Sequence, residues 1–320
     1  METEILVRRP ARGVEWPTVG LAVAIYGGWL GLTYWHDAVP WWGLAFGGAW
    51  FCAWHASFQH ELVHGHPTRW PALNRALGLP PLLLWLPFDR YRVLHLSHHR
   101  DQHLTDPLED PETQYFAEQA WARLGPAGRV IARVCARLAG RLLIGPVWAI
   151  GRFLWRDALR LRADSPGVRA AWAAHLPVLA AVIGWLVVVC RFDLWHYLAL
   201  FVLPGTALLL VRSLAEHRAA IEPEHRTAIV ERAPILGLLF LFNNLHAAHH
   251  ERPVLAWYRL PGFYRRERAR LIARNGGLVY RGYAEVARRF LLRPHDQAVH
   301  PYLGTARATL ADTPPLEPAR

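Results

Sequence analysis

Four apolar runs frame this chain: Pro17–Trp35, Trp41–Gln59, Ala171–Cys190 and Leu194–Leu214. Each is about 19–21 residues long, enough to cross roughly 30 Å of hydrocarbon as a helix. The first pair is joined only by His36–Pro40 and the second only by Arg191–Asp193, so the pattern predicts two helical hairpins. Apolar residues make up 53% of the chain, which excludes a disordered one.

The formal charge of +11 comes from 36 basic residues, all of them Arg, against 25 acids. Such a balance raises the question of nucleic acid, but no recognition helix, zinc finger or RNA-binding signature accompanies it. The arginines sort instead by position along the apolar runs. The two short turns hold only Arg191, whereas Arg8, Arg9 and Arg12 precede the first run, 13 lie in 89–170 and 16 in 216–320. That asymmetry predicts cytoplasmic termini and a cytoplasmic middle loop, in a bilayer and with no nucleic-acid partner. Trp16, Trp35, Trp41 and Trp42 stand at run ends, as an interfacial aromatic belt would. No cleavable signal is expected, because the first run is too long and lacks a small-residue cleavage site. Three cysteines without a CxxC exclude a disulfide framework and a cysteine-ligated zinc or iron–sulfur site.

Shorter segments complete the layout. Residues 76–88 carry Pro80, Pro81 and Pro87 and read as a re-entrant or interfacial piece. In 141–162, Arg152, Arg156 and Arg160 recur every four residues opposite Trp148, Phe153, Leu154 and Leu161, predicting an amphipathic helix on the cytoplasmic leaflet. Ile235–Phe242 reads as a short surface helix, and the tail from Thr305 as loose. The expected fold is an all-α integral membrane protein with four transmembrane helices (about 17–35, 41–59, 171–190 and 194–214). A cytoplasmic helical cap carries its histidines. Residues 1–16 form a cytoplasmic N-terminus, 17–255 the membrane domain and 256–320 a cytoplasmic C-terminal region.

Histidine is the compositional outlier, with 18 in 320 residues. Four places concentrate it: His60-Glu-Leu-Val-His64, His95-Leu-Ser-His98-His99, the isolated His217, and His246-Ala-Ala-His249-His250. Residues i, i+3 and i+4 share a helical face, so each His-x-x-His-His presents three imidazoles together. At this histidine content one accidental copy is expected about 0.06 times and two about 2 × 10⁻³ times. Neutral imidazole is a transition-metal ligand near pH 7. Nine donors, His60, His64, His95, His98, His99, His217, His246, His249 and His250, exceed what one four-coordinate ion takes and suit two metals of five or six positions. Ligand type alone leaves Zn, Cu, Fe and Ni open. All four segments fall on the side that the arginines mark as cytoplasmic.

Carboxylates beside these boxes are candidates to receive the second ring N–H of a ligand: Glu61, Asp101, Asp106, Asp110, Glu216 and Glu251. Asn243 and Asn244 are candidates for holding a metal-bound water or capping the last box. His66 and His103 adjoin boxes and count as lesser ligand candidates. His36, His55, His175, His196, His225, His295 and His300 read as packing or solvated residues.

Four strings, "FQHELVHGH", "HLSHHRDQHLTDPLEDPE", "SLAEH" and "FNNLHAAHHERP", resemble the membrane fatty-acid desaturase and hydroxylase superfamily over roughly residues 17–255. The Asp-Pro repeat at 106–111 and the Asn pair look like bacterial acyl-lipid desaturases. The resemblance implies a non-haem centre of two iron ions held by the nine histidines, O₂ as oxidant, and a long acyl chain as substrate, whether lipid, acyl-CoA or acyl-carrier. It also implies a bacterial inner-membrane location and a role in lipid metabolism and fatty acid biosynthesis. The chain lacks a fused cytochrome b5 domain and any flavin, haem or ferredoxin signature. Two electrons must therefore come from an external donor, ferredoxin or cytochrome b5-like, for which an arginine-rich face suits an acidic carrier. Leu82–Phe88 and the span residues are candidates to line the acyl site. Three rivals remain: a di-iron hydroxylase or ketolase of an alkyl chain or carotenoid, a membrane zinc protease using His60-Glu61-x-x-His64, and a metal transporter, which would need more polar groups in the spans than His55 and Arg212.

Overall fold

The computed structural model describes residues 13–303; Arg8, Arg9, Arg12 and the tail from Thr305 lie outside the described residues. Helix α1 (Trp16–Tyr34) starts on Pro17, whose missing N–H falls where a helix has no acceptor for it. A single 3₁₀ turn, His36–Ala38, reverses the chain into α2 (Trp41–Val63), which continues past the expected end at Gln59 and so carries His60 within its last turn. Two short helices follow, α3 (Pro71–Gly78) and α4 (Phe88–His98). Next come α5 (Glu118–Arg123), α6 (Pro126–Cys135), α7 (Leu138–Leu143) and α8 (Gly145–Arg162). The second long pair is α9 (Val168–Val189) and α10 (Leu194–Glu216). Both contain a widened π turn, and the one in α10, Leu198–Val202, precedes Pro204, which has no N–H to offer the Leu200 carbonyl.

By length and composition, α9 and α10 are the described helices able to cross a membrane. Hairpin α1–α2 has the length, but its Gly, Trp and Tyr, with His55 in α2, dilute its apolarity. The molecule is mostly helical, with two membrane-span candidates rather than four of equal strength.

Small residues let α2 and α10 meet closely. A Cβ on Gly48 would stand 2.5 Å from the Phe201 ring, and one on Gly205 2.7 Å from Cys52 Cβ. Around this contact lie Ile25, Phe58, Leu82, Leu186 and Phe201, all essentially without exposure. Residues 79–87 are an irregular link between α3 and α4 whose Leu82, Leu83 and Leu84 are buried in that same core. Side chains satisfy its backbone: Tyr197 donates to the Leu82 carbonyl at 2.7 Å, and His175 Nε2 bonds the Leu84 carbonyl at 2.9 Å. Non-helical backbone at such depth is tolerated where protein groups meet it this way.

The all-α expectation omits one element. After α10 come β1 (Ile229–Arg232), α11 (Pro234–Leu239), α12 (His246–Glu251), α13 (Leu260–Arg274), β2 (Val279–Gly282) and α14 (Tyr283–Phe290). Strands β1 and β2 pair in parallel, Ile229 opposite Val279. Each is four residues long, too short for a period of two to show in the sequence. The pair fastens the C-terminal region to the last histidine box, because Val230 N–H also donates to the Asn244 carbonyl at 2.8 Å.

Helix α8 differs from its expected orientation. Leu143, just before it, and Val147, Trp155 and Leu159 are the large residues most exposed on its outer side (80%, 63%, 63% and 45%). Arg152 is turned inward, over the rings of Phe116 and Trp148. Buried Asp157 locks the helix to α4 through a two-bond ion pair with Arg90, 2.8 and 2.9 Å, and accepts from Trp172.

Candidate metal centre

Helix ends deliver the histidines. His60 and His64 close α2, His95, His98 and His99 close α4, His217 is the first residue beyond α10, and His246, His249 and His250 lie on α12. The donor atoms of all nine form two groups: His60, His64, His95, His99 and His249, and His98, His217, His246 and His250. Within each, the atoms lie within 4.8 Å of one another. Each His-x-x-His-His sends its i, i+4 pair to one group and its i+3 residue to the other. Helix geometry supplies the reason: i+4 is rotated about 40° from i, whereas i+3 lies about 60° to the other side. The groups abut, with the His99 and His250 rings stacked at 4.3 Å. Eight of the nine side chains are buried and His217 is half-buried.

The ring nitrogens carry the signature of a cation site. In the second group His98 Nδ1 donates to Asp110 at 2.9 Å, His217 Nδ1 to the Arg226 carbonyl at 3.1 Å, and His246 Nδ1 to Asn243 Oδ1 at 3.2 Å. In neutral rings that leaves each Nε2 a bare lone pair. Yet His217 Nε2 lies 3.0 Å from His98 Nε2 and 2.8 Å from His246 Nε2. In the first group His95 Nε2 is 3.2 Å from His64 Nε2 and 3.0 Å from His99 Nε2, and Glu112, 3.0 Å from His95 Nδ1, turns the Nε2 of that ring inward. Two ligands at right angles on an ion at about 2.1 Å would stand about 3.0 Å apart. The residues therefore fit two metal ions, the first with five nitrogens and the second with four.

Electrostatics point the same way. Burial, then the neighbouring imidazoles, holds His99, His246 and His249 well below the ordinary histidine range, so they stay neutral and available. Burial would lower His98 too, but Asp110 and Glu112 outweigh it and carry it up to about 9, so without a metal its Nε2 holds a proton, whose place a metal ion would take. Burial raises the Glu112 carboxyl, and His95 and His98 outweigh that and bring it down to about 2.

The expected supporting residues fall into distinct places. Asp110 holds His98 and also accepts from Thr105 and Glu112 backbone N–H groups, both at 2.9 Å. Glu216 Oε1 stands 3.3 Å from His246 Nδ1 and 3.0 Å from Arg212 Nε, and accepts from Asn243 at 3.2 Å. Asn243 touches the centre, whereas Asn244 donates to the Val230 carbonyl and fixes β1. Asp106 accepts from the Leu108 and Glu109 N–H groups and shapes the loop that brings Asp110 in. Glu61 accepts from the Trp257 N–H at 3.0 Å and lies 3.7 Å from His60 Nδ1. Glu251 turns away to Arg270 and Arg274. The lesser ligand candidates stay outside both groups: His66 bonds Glu15 at 2.9 Å, and His103 ends a 3₁₀ turn. Of the histidines read as packing, His55 bonds Tyr26 and His295 bonds Tyr280.

Two residues escaped the sequence reading. Glu112, which holds His95, sits two residues after Asp110 in the same Asp-Pro repeat; that repeat was the available signal. Arg226 is fully buried and donates to the carbonyls of Gln102, Leu104, Ala220 and Ile221, stapling the loop after α4 to the one that presents its own carbonyl to His217. Nothing in the sequence marks it.

Beside the second group lies a cavity of about 380 Å³ reached by His98 and His217. Of the segment Leu82–Phe88, Trp85 and Leu86 line it, while Leu82–Leu84 remain in the core.

Paired histidine groups able to hold metal, next to a largely apolar cavity, define the class of protein. The chain belongs to the fatty acid desaturase family, whose sequence model matches residues 35–284, a stretch that includes all nine histidines. Membership makes it an oxidoreductase, and its apolar helices associate it with membrane. No curated protein matches the chain.

Proposed function

We propose that this protein is an O₂-dependent di-iron desaturase that introduces a double bond into a fatty acyl chain. The nine histidines are its iron ligands, and Glu112, Asp110, Glu216 and Asn243 orient them. The observation that carries this reading is the convergence of nine imidazole donor atoms, within 4.8 Å of one another in each of two abutting, carboxylate-free groups. Glycine-tight packing of α2 on α10 and the Arg226 staple keep the four histidine-bearing segments in register. When bound, the ions would supply the O₂-dependent removal of two hydrogens from adjacent unactivated methylenes. The balance is –CH₂–CH₂– + O₂ + 2e⁻ + 2H⁺ → –CH=CH– + 2H₂O, the electrons coming from an external ferredoxin or cytochrome b5-like donor. This chain's own work is to hold one C–C bond of the substrate beside His98 and His217 and to exclude water there.

Four membrane crossings, with the histidines and both termini on the cytoplasmic side of a bacterial inner membrane, complete the reading. Its support is the shared end of the molecule that all four box-bearing segments reach. Hydroxylation or ketolation is the neighbouring alternative on the same centre. The zinc-protease alternative has less support, because His60 and His64 meet three more imidazoles and Glu61 is occupied by the Trp257 N–H.

Lipid profiling of a host expressing the chain beside a His98→Ala control tests the reading. A new unsaturated acyl species absent from the control is the expected result. A hydroxy or keto product would transfer the assignment to the alternative, and no difference would overturn both.

A further inference from the structure

A separate groove of about 550 Å³ opens where α2 ends, between α3, α4 and the first turn of α9. It shares no lining residue with the cavity beside the histidines. Helix α4 separates the two: Tyr91, Leu94 and His98 turn to the cavity, and Asp89, Arg92 and Val93 to the groove. The floor of the groove is apolar, built by Leu62, Val63, Phe88 and Ala171, all buried. Most of its polar groups are engaged within the protein. Asn74 accepts from Thr68 Oγ1 at 2.8 Å and donates to the Thr68 and Gly65 carbonyls. Asp89, the one carboxylate on the described lining, accepts both bonds of the Arg75 fork, at 2.8 and 2.6 Å. Arg69 and Arg92 are left over. Arg69 lies against the Trp70 ring, and neither it nor Arg92 has an acid partner among the described residues.

Two guanidinium groups without a counter-charge beside an apolar floor suit an amphipathic anion. A hydrocarbon would leave the cations unpaired, and a soluble anion would leave the floor bare. Position in the molecule decides between lipid and solute. Ala170 and Ala171, on the groove, belong to the first turn of α9, a helix apolar enough to cross a bilayer. The groove thus lies where a span emerges, and Trp70, Leu73 and Val93 stand exposed around it, Val93 by 57%. We propose that the groove holds a phospholipid of net negative charge, its phosphate met by Arg69 and Arg92 and the start of its acyl chains lying on Leu62, Val63 and Phe88. Guanidinium forks pair with phosphate oxygens at two points. This lipid is a resident part of the molecule and not the substrate, because α4 walls it off from the cavity beside the histidines. Bound there, it braces α4, which carries His95, His98 and His99, against α2 and α9. The site depends on α9 crossing a membrane and not on the reaction at the metal centre.

Native mass spectrometry of the delipidated full chain, titrated in detergent with dioctanoyl-phosphatidylglycerol and with dioctanoyl-phosphatidylcholine, tests this. Phosphatidylglycerol should bind at least about tenfold more tightly than phosphatidylcholine. Arg69→Gln with Arg92→Gln should erase that preference. Arg265→Gln with Arg266→Gln, which removes the same charge from exposed positions on α13, should keep it. Ala170→Phe fills the groove with both arginines in place and should weaken phosphatidylglycerol binding by a similar factor. In thermal melts, wild type and the Arg69, Arg92 variant should coincide without lipid, and added phosphatidylglycerol should raise the wild type alone. Equal affinity for the two lipids would overturn the proposal, as would a preference that survives in the Arg69, Arg92 variant or disappears equally from the α13 variant. Unchanged binding in Ala170→Phe would place the lipid outside the groove and overturn it too. So would glycerol phosphate binding as tightly as the lipid, since the groove would then serve a soluble anion.

Discussion

At the residue scale, the decisive feature is which nitrogen of His95, His98, His217 and His246 is already engaged. Asp110, Glu112, the Arg226 carbonyl and Asn243 take Nδ1 and turn Nε2 toward the centre. Such partners fix tautomer and orientation, and removing one weakens metal binding by about 10–100-fold. Glu112→Gln should therefore lose iron to a competing chelator at a concentration about 10–100-fold lower than wild type, whereas Glu251→Gln, on the far side of α12, should behave as wild type. Retention of wild-type affinity in Glu112→Gln would place the carboxylate outside the centre. Eight of the nine histidines were legible because spacing puts them on shared helical faces, and the isolated His217 from its place at the end of the fourth apolar run and from the family resemblance. Glu112 was missed, because it reaches His95 across 17 residues of chain and only its place beside the Asp-Pro repeat hints at that contact. Asp106 was legible as a candidate, but its carboxylate holds a turn.

At the element scale, two contacts set the positions of the box-bearing helices. Gly205 lets α10 approach α2, and a larger side chain there must displace Cys52. Gly205→Leu should cost about 1–3 kcal/mol by overpacking. It should also lower the melting temperature in detergent and reduce bound metal, since His60, His64 and His217 ride on the two helices. The Arg90–Asp157 pair fixes α8 to α4. Asp157→Asn leaves a buried guanidinium without its counter-ion, at a cost of about 3–5 kcal/mol. The exposed Arg169–Asp164 pair supplies the control: Asp164→Asn should change stability by no more than about 1 kcal/mol. Burial raises the Asp157 carboxyl, but Arg90, Trp172 and Arg160 outweigh it and hold it below the ordinary range. Its contribution is thus full above about pH 4 and is lost as pH falls through the lowered value, a trend that thermal melts of wild type and Asp157→Asn across acidic pH would show. Long helices were readable from hydropathy, and α8 from its arginine period. Its facing was not, because both of its sides have a use for apolar atoms: one meets the cavity's rings and the other is exposed. The β1–β2 pair depends on residues 50 apart in sequence, which no local pattern encodes.

For the whole molecule, the arginine asymmetry and the histidine boxes were independent signals that agree on one end of the helices. Cysteine-accessibility labelling tests that agreement: a cysteine placed at Asp37 should react from outside intact cells, and one placed at Asp164 only after permeabilisation. The reverse pattern would contradict the proposed orientation. Family membership makes the protein an oxidoreductase, but composition could not choose the metal, because imidazole accepts several. Elemental analysis of the purified full chain reaches that point most directly. Two iron ions per chain, falling in the His98→Ala variant and absent when both boxes are altered, is the expected result. One zinc ion per chain, or full activity with no iron bound, would contradict the di-iron centre on which the proposed function stands.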